Sequence, residues 1–145
     1  MSRLSIRPMQ PEDLAAIAVQ PAQAVIADDL TVETGDALRR AGLAFTAWAG
    51  GVPIAVGGVL LPMGRRALAW AVLSEAAGRH MRRLTRVVRA FLDSFGRAVD
   101  IGVAKGFVPG ARWARLLGFR PMNETLEDLD TPENLELWRR PGGEG

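Results

Sequence analysis

The chain has 145 residues, with 48% hydrophobic and 23% charged residues, no cysteine and a single histidine, His80. This composition is typical of a soluble globular protein, and it excludes disulfides, cysteine nucleophiles and metal sites built on cysteine or several histidines. The formal net charge is only +2 although the isoelectric point is about 10.3, because nearly all the base is arginine. We therefore expect little general attraction for nucleic acid. No apolar run resembles a signal peptide or spans a bilayer, which predicts a cytoplasmic protein without a membrane partner.

The first half of the chain predicts a strand, three short helices and a hairpin. Alternation in "RLSIRP" indicates the strand, and a helix begins at Pro11. Pro21 breaks that helix, and two more short helices follow, the second ended by Gly42. Apolar runs on both sides of Gly50-Gly51 predict the β-hairpin. The pair Gly57-Gly58 in its second strand indicates a bulge or a close backbone approach.

The second half predicts a buried strand, a long helix and further strands around one more helix. "RALAWAVL" is apolar on both faces, and Ser74 after it is a candidate N-cap. "AVDIGVA" predicts a strand, "PGARWARLLG" a helix ended by Gly118, and "FRPM" and "LELWRR" two strands joined by the polar segment "TLEDLDTPEN". The inner face of the long helix consists of apolar residues at helical spacing, namely Met81, Leu84, Val88, Phe91 and Phe95.

This order of elements predicts an α+β fold, a sheet with helices on both faces, in a single domain over residues 1–140 with a mobile tail at 141–145. Three stretches carry a resemblance to the GNAT N-acetyltransferases. "IRPMQPEDLAAI" resembles their opening strand and helix, "AWAVLSEAAGRHM" their central strand and acetyl-CoA turn, and "ARWARLLGFRP" their late helix. The resemblance implies a layered α/β/α, GNAT-like mixed sheet, mainly antiparallel, of six to seven strands. It also implies acetyl-CoA or CoA as cofactor, no metal, and a small-molecule or protein amine as acceptor.

The cofactor turn departs from the pattern of that family. There, backbone N–H groups at a helix start bind the pyrophosphate, and small residues let the backbone approach it. Aligned without gaps, Ala77 takes the position of an arginine, Gly78 matches a glycine, and His80 and Arg82 replace two small residues. The resemblance thus indicates a degraded turn. Its candidate cofactor-binding residues are Val72, Ser74, Gly78, Arg79, Arg82 and Arg83.

The arginines of this turn have two readings. Arg79, Arg82 and Arg83 begin a helix, where their guanidinium groups are placed to bind phosphates from the side. Alternatively, they form a solvated helix face, which is the more usual meaning of such a charge run. The same two readings apply to His80.

The acid–base groups expected from the resemblance are missing. GNAT enzymes commonly use a tyrosine on the late helix, but this chain has no tyrosine, and Ala114 occupies that position. The central strand offers no carboxylate either. The helical region that would flank the substrate cleft contains four carboxylates, Asp28, Asp29, Glu33 and Asp36, although acidic residues there are more usually plain helix surface. The tryptophans Trp48, Trp70 and Trp113 are expected in the core or the cleft wall.

A narrower resemblance fits these departures. "ARWARLLGF" and the long-helix segment resemble a GNAT-like family of short-tailed phages and prophages related to internal virion protein A. It implies a phage-encoded protein with a virion or assembly role, or a role in host modification, located in the host cytoplasm or the virion. Its implied partners are other phage proteins or a second copy of the chain. Two alternatives stay open: an acetyl-CoA-dependent N-acetyltransferase acting by direct attack of the amine, and a regulatory module that binds acyl-CoA or a partner without turnover.

Overall fold

A computed structural model describes residues 3–62, 66–122 and 135–142. One sheet contains the strands β1 (Leu4–Pro8), β2 (Gly42–Ala49), β3 (Val52–Leu60), β4 (Ala67–Leu73), β5 (Val99–Ala104), β6 (Arg120–Pro121) and β7 (Leu135–Arg140). The helices are α1 (Pro11–Ala16), α2 (Val32–Ala41), α3 (Met81–Phe95) and α4 (Val108–Leu116), with 3-10 helices at Pro21–Asp29 and Glu75–His80. Among the described residues, no helix has the length and apolarity needed to cross a membrane.

The strands lie in the order β1-β2-β3-β4-β5-β7-β6. Neighbouring strands are antiparallel except for β4 and β5, which are parallel. The predicted mixed, mainly antiparallel sheet of six to seven strands is therefore confirmed. The predicted polar connection "TLEDLDTPEN" and residues 143–145 of the predicted tail lie outside the described part of the chain.

Helices cover both faces of the sheet, as predicted. Leu92 of α3 and Ala114 of α4 pack with Val99 on one face. Leu14 of α1 packs with Val56 and Val72 on the other. Because successive side chains of a strand point to opposite faces, β3 and β4 contribute residues to both layers.

The hairpin forms where the glycine pair predicts it. Gly50 and Gly51 have φ angles of 59° and 76°, the left-handed conformation that a two-residue turn of this kind requires. The irregularity in pairing lies between Ala47 and Trp48, opposite Pro53, which has no N–H to donate. Gly57-Gly58 is thus no bulge but a close backbone approach, since a Cβ on Gly58 would lie 1.9 Å from the carbonyl oxygen of Leu43.

Candidate functional site

The parallel strands β4 and β5 separate in the middle of the sheet. Their pairing begins at Ala67 with Val99 and ends at Ala69 with Ile101. Beyond these residues, β4 continues to Leu73 while β5 continues to Ala104 without pairing to it. The sheet therefore opens toward the carboxyl ends of two adjacent parallel strands, where open α/β sheets bind ligands.

The open edge of β4 is occupied by residues that precede α2. The Gln23 side chain accepts a hydrogen bond from the N–H of Leu73 at 2.8 Å and donates one to the carbonyl of Ala71 at 2.9 Å. The N–H of Gln20 donates to the carbonyl of Leu73 at 2.8 Å. A side-chain amide thus pairs with β4 where a neighbouring strand would otherwise supply donor and acceptor.

This pairing explains why the segment around Gln23 is less regular than predicted. The sequence indicates a short helix after Pro21, and the structure has a 3-10 helix over Pro21–Asp29. Just before it, Val19 forms an antiparallel bridge with Ser74. The chain is therefore held against the end of β4 at several points, which favours the tighter helix used for short connectors.

The turn after β4 is closed. Residues Glu75–His80 form a 3-10 helix, whose first bond joins the N–H of Ala77 to the carbonyl of Ser74 at 3.1 Å. In a 3-10 helix the backbone amides bond to carbonyls three residues earlier. By this pattern, the amides of Gly78, Arg79 and His80, which the expected phosphate site would use, bond within the turn.

Two of the predicted cofactor residues lie in the core. Val72 is 5% exposed and packs with residues of α1. Ser74 is also 5% exposed, and its hydroxyl has no hydrogen-bond partner among the described residues. The predicted N-cap position of Ser74 is confirmed, but its side chain makes no capping hydrogen bond. The backbone of Ser74 is extended, as is usual for an N-cap residue, and its N–H donates to the carbonyl of Ile54.

The other predicted cofactor residues are exposed. A Cβ on Gly78 would meet no atom within 4 Å, so the surface beside it is open. Arg79, Arg82 and Arg83 are exposed and make no ion pair with a carboxylate of the described residues. His80 is half-buried where α3 begins. The structure therefore places these three arginines along one helix start, available to an anion or to solvent.

An apolar cavity of about 290 Å³ lies between the sheet and α3. It extends along the sheet from β1 to the opening between β4 and β5, and reaches α4 at Trp113. The indole of Trp113 donates to the hydroxyl of Thr85 at 2.8 Å, which ties α4 to α3 beside the cavity. Of the tryptophans expected in the core or a cleft wall, Trp113 lines this cavity and Trp70 packs with the cluster on the α1 face of the sheet. Trp48 is half-buried under the guanidinium of Arg7.

No group suited to proton transfer faces this cavity within the described ranges. Every residue lining it is apolar, and the aligned tyrosine position, Ala114, is buried in the core. Asp28, Asp29 and Glu33 are exposed, and Asp36 pairs with Arg40 at 3.1 Å on the surface of α2. Nor does the described part of the chain bring together three metal-ligating side chains.

Sequence reasoning missed Gln23 and the cavity. Gln23 carries no local signal, because its partners lie 48 and 50 residues away along the chain. The cavity has a signal in retrospect, since small residues recur at alternating positions of three successive strands. These residues are Ala47, Ala55, Gly57, Ala69 and Ala71.

Gln23→Ala is expected to lower the free energy of unfolding by about 1–3 kcal/mol, because the N–H of Leu73 and the carbonyl of Ala71 lose their partners. Gln20→Ala is the matched control. Its backbone bond to β4 remains and only a 3.3 Å contact to Gln23 is lost, so we expect less than about 1 kcal/mol. Urea unfolding of both variants measures the difference. Equal losses would show that Gln23 has no special role at the edge.

Neither a protein-family model nor a curated protein matches the sequence. Solved structures do match. Ard1 from Thermoplasma volcanium has a TM-score of 0.73 and 17% identity, with 97% of this chain and 99% of that chain covered. The ribosomal-protein-S18-alanine N-acetyltransferase from Escherichia coli has a TM-score of 0.68 and 15% identity, with 99% and 96% covered. The acetyltransferase of GNAT family from Streptococcus pneumoniae has a TM-score of 0.64 and 11% identity, with 97% and 100% covered.

These similarities extend over nearly the whole of each chain, so the fold is that of the GNAT acetyltransferases. At such low identity they establish the fold alone, and one fold supports many functions.

Proposed function

We propose that this protein is a GNAT-fold binding or assembly component that does not catalyse acyl transfer. The observation that carries the proposal is the closed 3-10 turn after β4, which uses internally the amides that a pyrophosphate would need. The apolar cavity lining supports it, because no proton donor or acceptor stands there. Proton transfer by a positioned side chain is worth about 10²–10⁴-fold in rate, so its loss weakens any residual catalysis further.

Within this proposal we assign the protein to a phage or prophage, in the virion or its assembly, on the sequence resemblance described above. Its partners would then be other virion proteins or a second copy of the chain. Mass spectrometry of purified particles from the strain that encodes the chain is the direct measurement. If the protein is absent from particles and from assembly intermediates, the assignment is contradicted.

A second candidate is an acetyl-CoA-dependent N-acetyltransferase. The specific observation in its favour is that Arg79, Arg82 and Arg83 are exposed at one helix start and form no ion pair with described carboxylates. Guanidinium groups bind phosphates in a bidentate manner, so side chains would then replace the missing backbone site. Small-molecule or protein amines would be the acceptors.

Calorimetry and thermal unfolding with millimolar CoA and acetyl-CoA separate the two candidates. We expect no heat of binding and no change in melting temperature. A ligand at 100 times its Kd adds about 2.7 kcal/mol to the stability of the folded state, which raises the melting temperature by several degrees for a chain of this size. Such a rise would show that CoA binds and would remove the closed turn as an argument for the proposal. Transfer of the acetyl group from acetyl-CoA to an amine, with release of the free CoA thiol, would then overturn the proposal itself.

The arginines provide the matched variants for this test. If CoA binds, Arg79→Ala/Arg82→Ala/Arg83→Ala should abolish binding while Arg89→Ala, later on the same helix, leaves it intact. That pattern would support a side-chain phosphate site, which the second candidate requires. Binding that survives the triple variant would rule out the side-chain site.

A further inference from the structure

The cavity beneath α3 exists because the sheet has a floor of small residues. Ala55 and Gly57 of β3 stand beside Ala47 of β2 and Ala71 of β4 in the strand register. All of them line the cavity, as does Ala69. Side chains of methyl size or less cannot fill the gap between a sheet and a packed helix, which is about 10 Å.

The roof of the cavity is the apolar face of α3, and one flank of this helix is open. Leu84 is buried, but Val87 is 38% exposed although it lines the cavity. Opposite it, Ile6 of β1 is also a lining residue and is 39% exposed. The rings of Phe45 and Phe91 contact each other edge-to-face, with their centroids 5.4 Å apart. We call this opening between β1, β2 and α3, bounded by Ile6, Phe45, Val87 and Phe91, the mouth.

We propose that this cavity binds the aliphatic chain of a medium-length acyl compound with an anionic head. An engineered apolar cavity of about 150 Å³ stays dry and binds benzene. This cavity has about twice that volume, and its lining offers no ionisable group, so an unbranched hydrocarbon chain fits its size and chemistry. The site is separate from the closed turn after β4.

The charge at the mouth selects the head group. Arg83 lies four residues before Val87 and therefore on the same side of α3. It is exposed and has no acidic partner among the described residues. A carboxylate or phosphate at the mouth would meet this guanidinium group, whereas a cationic head would be repelled. Arg89 lies on the far flank of the helix and serves as a control.

The test is calorimetric titration of the full chain with hexanoate, octanoate and decanoate below their micelle concentrations. Each buried methylene strengthens binding about fourfold, so we expect about a sixteenfold gain for each step of two carbons until the cavity is full. Decyltrimethylammonium should bind at least tenfold more weakly than decanoate, and Arg83→Gln, unlike Arg89→Gln, should remove this preference. No binding of decanoate, or affinities independent of chain length, would overturn the proposal.

Variants that fill the cavity make the test specific. Ala71→Leu should abolish decanoate binding, and Val87→Trp at the mouth should weaken it at least tenfold, so the test does not depend on one variant folding. Ala90→Leu, at an exposed position of the same helix, is the matched control and should bind as the unmodified chain does. Unchanged binding by both cavity variants would contradict the site.

The aliphatic chain of the ligand belongs either to a free fatty acid or to a thioester of CoA. A further titration separates these two sources. Decanoyl-CoA that binds at least tenfold more tightly than decanoate would support the site with a thioester as its ligand. Equal or weaker binding would support a free acid. The titration with CoA alone tests the proposed function, and the titration with decanoate tests the cavity. A failure of one proposal is therefore distinguished from a failure of the other.

Discussion

Replacing Phe119 by alanine is expected to lower the free energy of unfolding by about 3–5 kcal/mol. Phe119 is fully buried and packs with Leu117 and Trp138 in the cluster between the sheet, α3 and α4. Its N–H also bonds to the carbonyl of Ala114 and thereby ends α4. The loss is large because removal of the ring enlarges an existing cavity that Phe119 already lines.

Urea unfolding of Phe119→Ala against Phe107→Ala measures this effect. Phe107 is only half-buried at the start of α4, so its loss should cost less than half as much. Similar losses in the two variants would show that Phe119 is not the anchor of this core. The result bears on the Leu-Gly-Phe motif, which the structure makes a packing feature of the fold.

Arg139→Met is expected to lower the free energy of unfolding by about 3 kcal/mol. Arg139 donates to both carboxylate oxygens of Asp100, at 2.7 and 3.1 Å, between neighbouring strands β5 and β7. The side chain of Asp100 is 10% exposed and that of Arg139 is 24% exposed, so the variant leaves a carboxylate buried without this partner. Breaking such a pair costs about 3–5 kcal/mol, and the partial exposure of Arg139 places this case at the lower end.

Two controls make the interpretation specific. Arg40→Met removes the exposed pair with Asp36 on α2, where the arginine side chain is 78% exposed, and should cost less than about 1 kcal/mol. Asp100→Leu/Arg139→Met removes both charges and should recover most of the stability lost by Arg139→Met. If the double variant is as unstable as Arg139→Met, the lost stability comes from the packing of the Arg139 side chain and not from the unpaired carboxylate of Asp100.

The local elements of the fold were predictable from the sequence. The hairpin follows from Gly50-Gly51 and from apolar runs on either side. The helix α3 follows from apolar residues such as Leu84 and Phe91 at helical spacing, and both face the sheet. These signals are local, because turn geometry and helix periodicity depend on residues that are close in the chain.

The tertiary features of the site were not predictable in this way. The sequence indicates a turn with too few small residues after β4, but not that this turn closes into a 3-10 helix. Nor does it show that Gln23 pairs with β4, because this contact depends on how a distant segment packs. The sequence places Ser74 correctly at the N-cap, but it does not show that Ser74 is also bonded to Ile54 and bridged to Val19, which lie far from it in the chain.

The separation of β4 from β5 gives this sheet an edge in its interior as well as at its rim. A free edge is a template on which another extended chain can add, and proteins protect their outer edges with charges, prolines or bulges. Here the inner edge of β4 is covered by the uncharged side chain of Gln23, which bonds to the carbonyl of Ala71 and the N–H of Leu73, and by the N–H of Gln20, which bonds to the carbonyl of Leu73. Gln23 thus occupies backbone groups of β4 on which an extended segment of another chain would otherwise pair, at a place where a fully paired sheet has no edge.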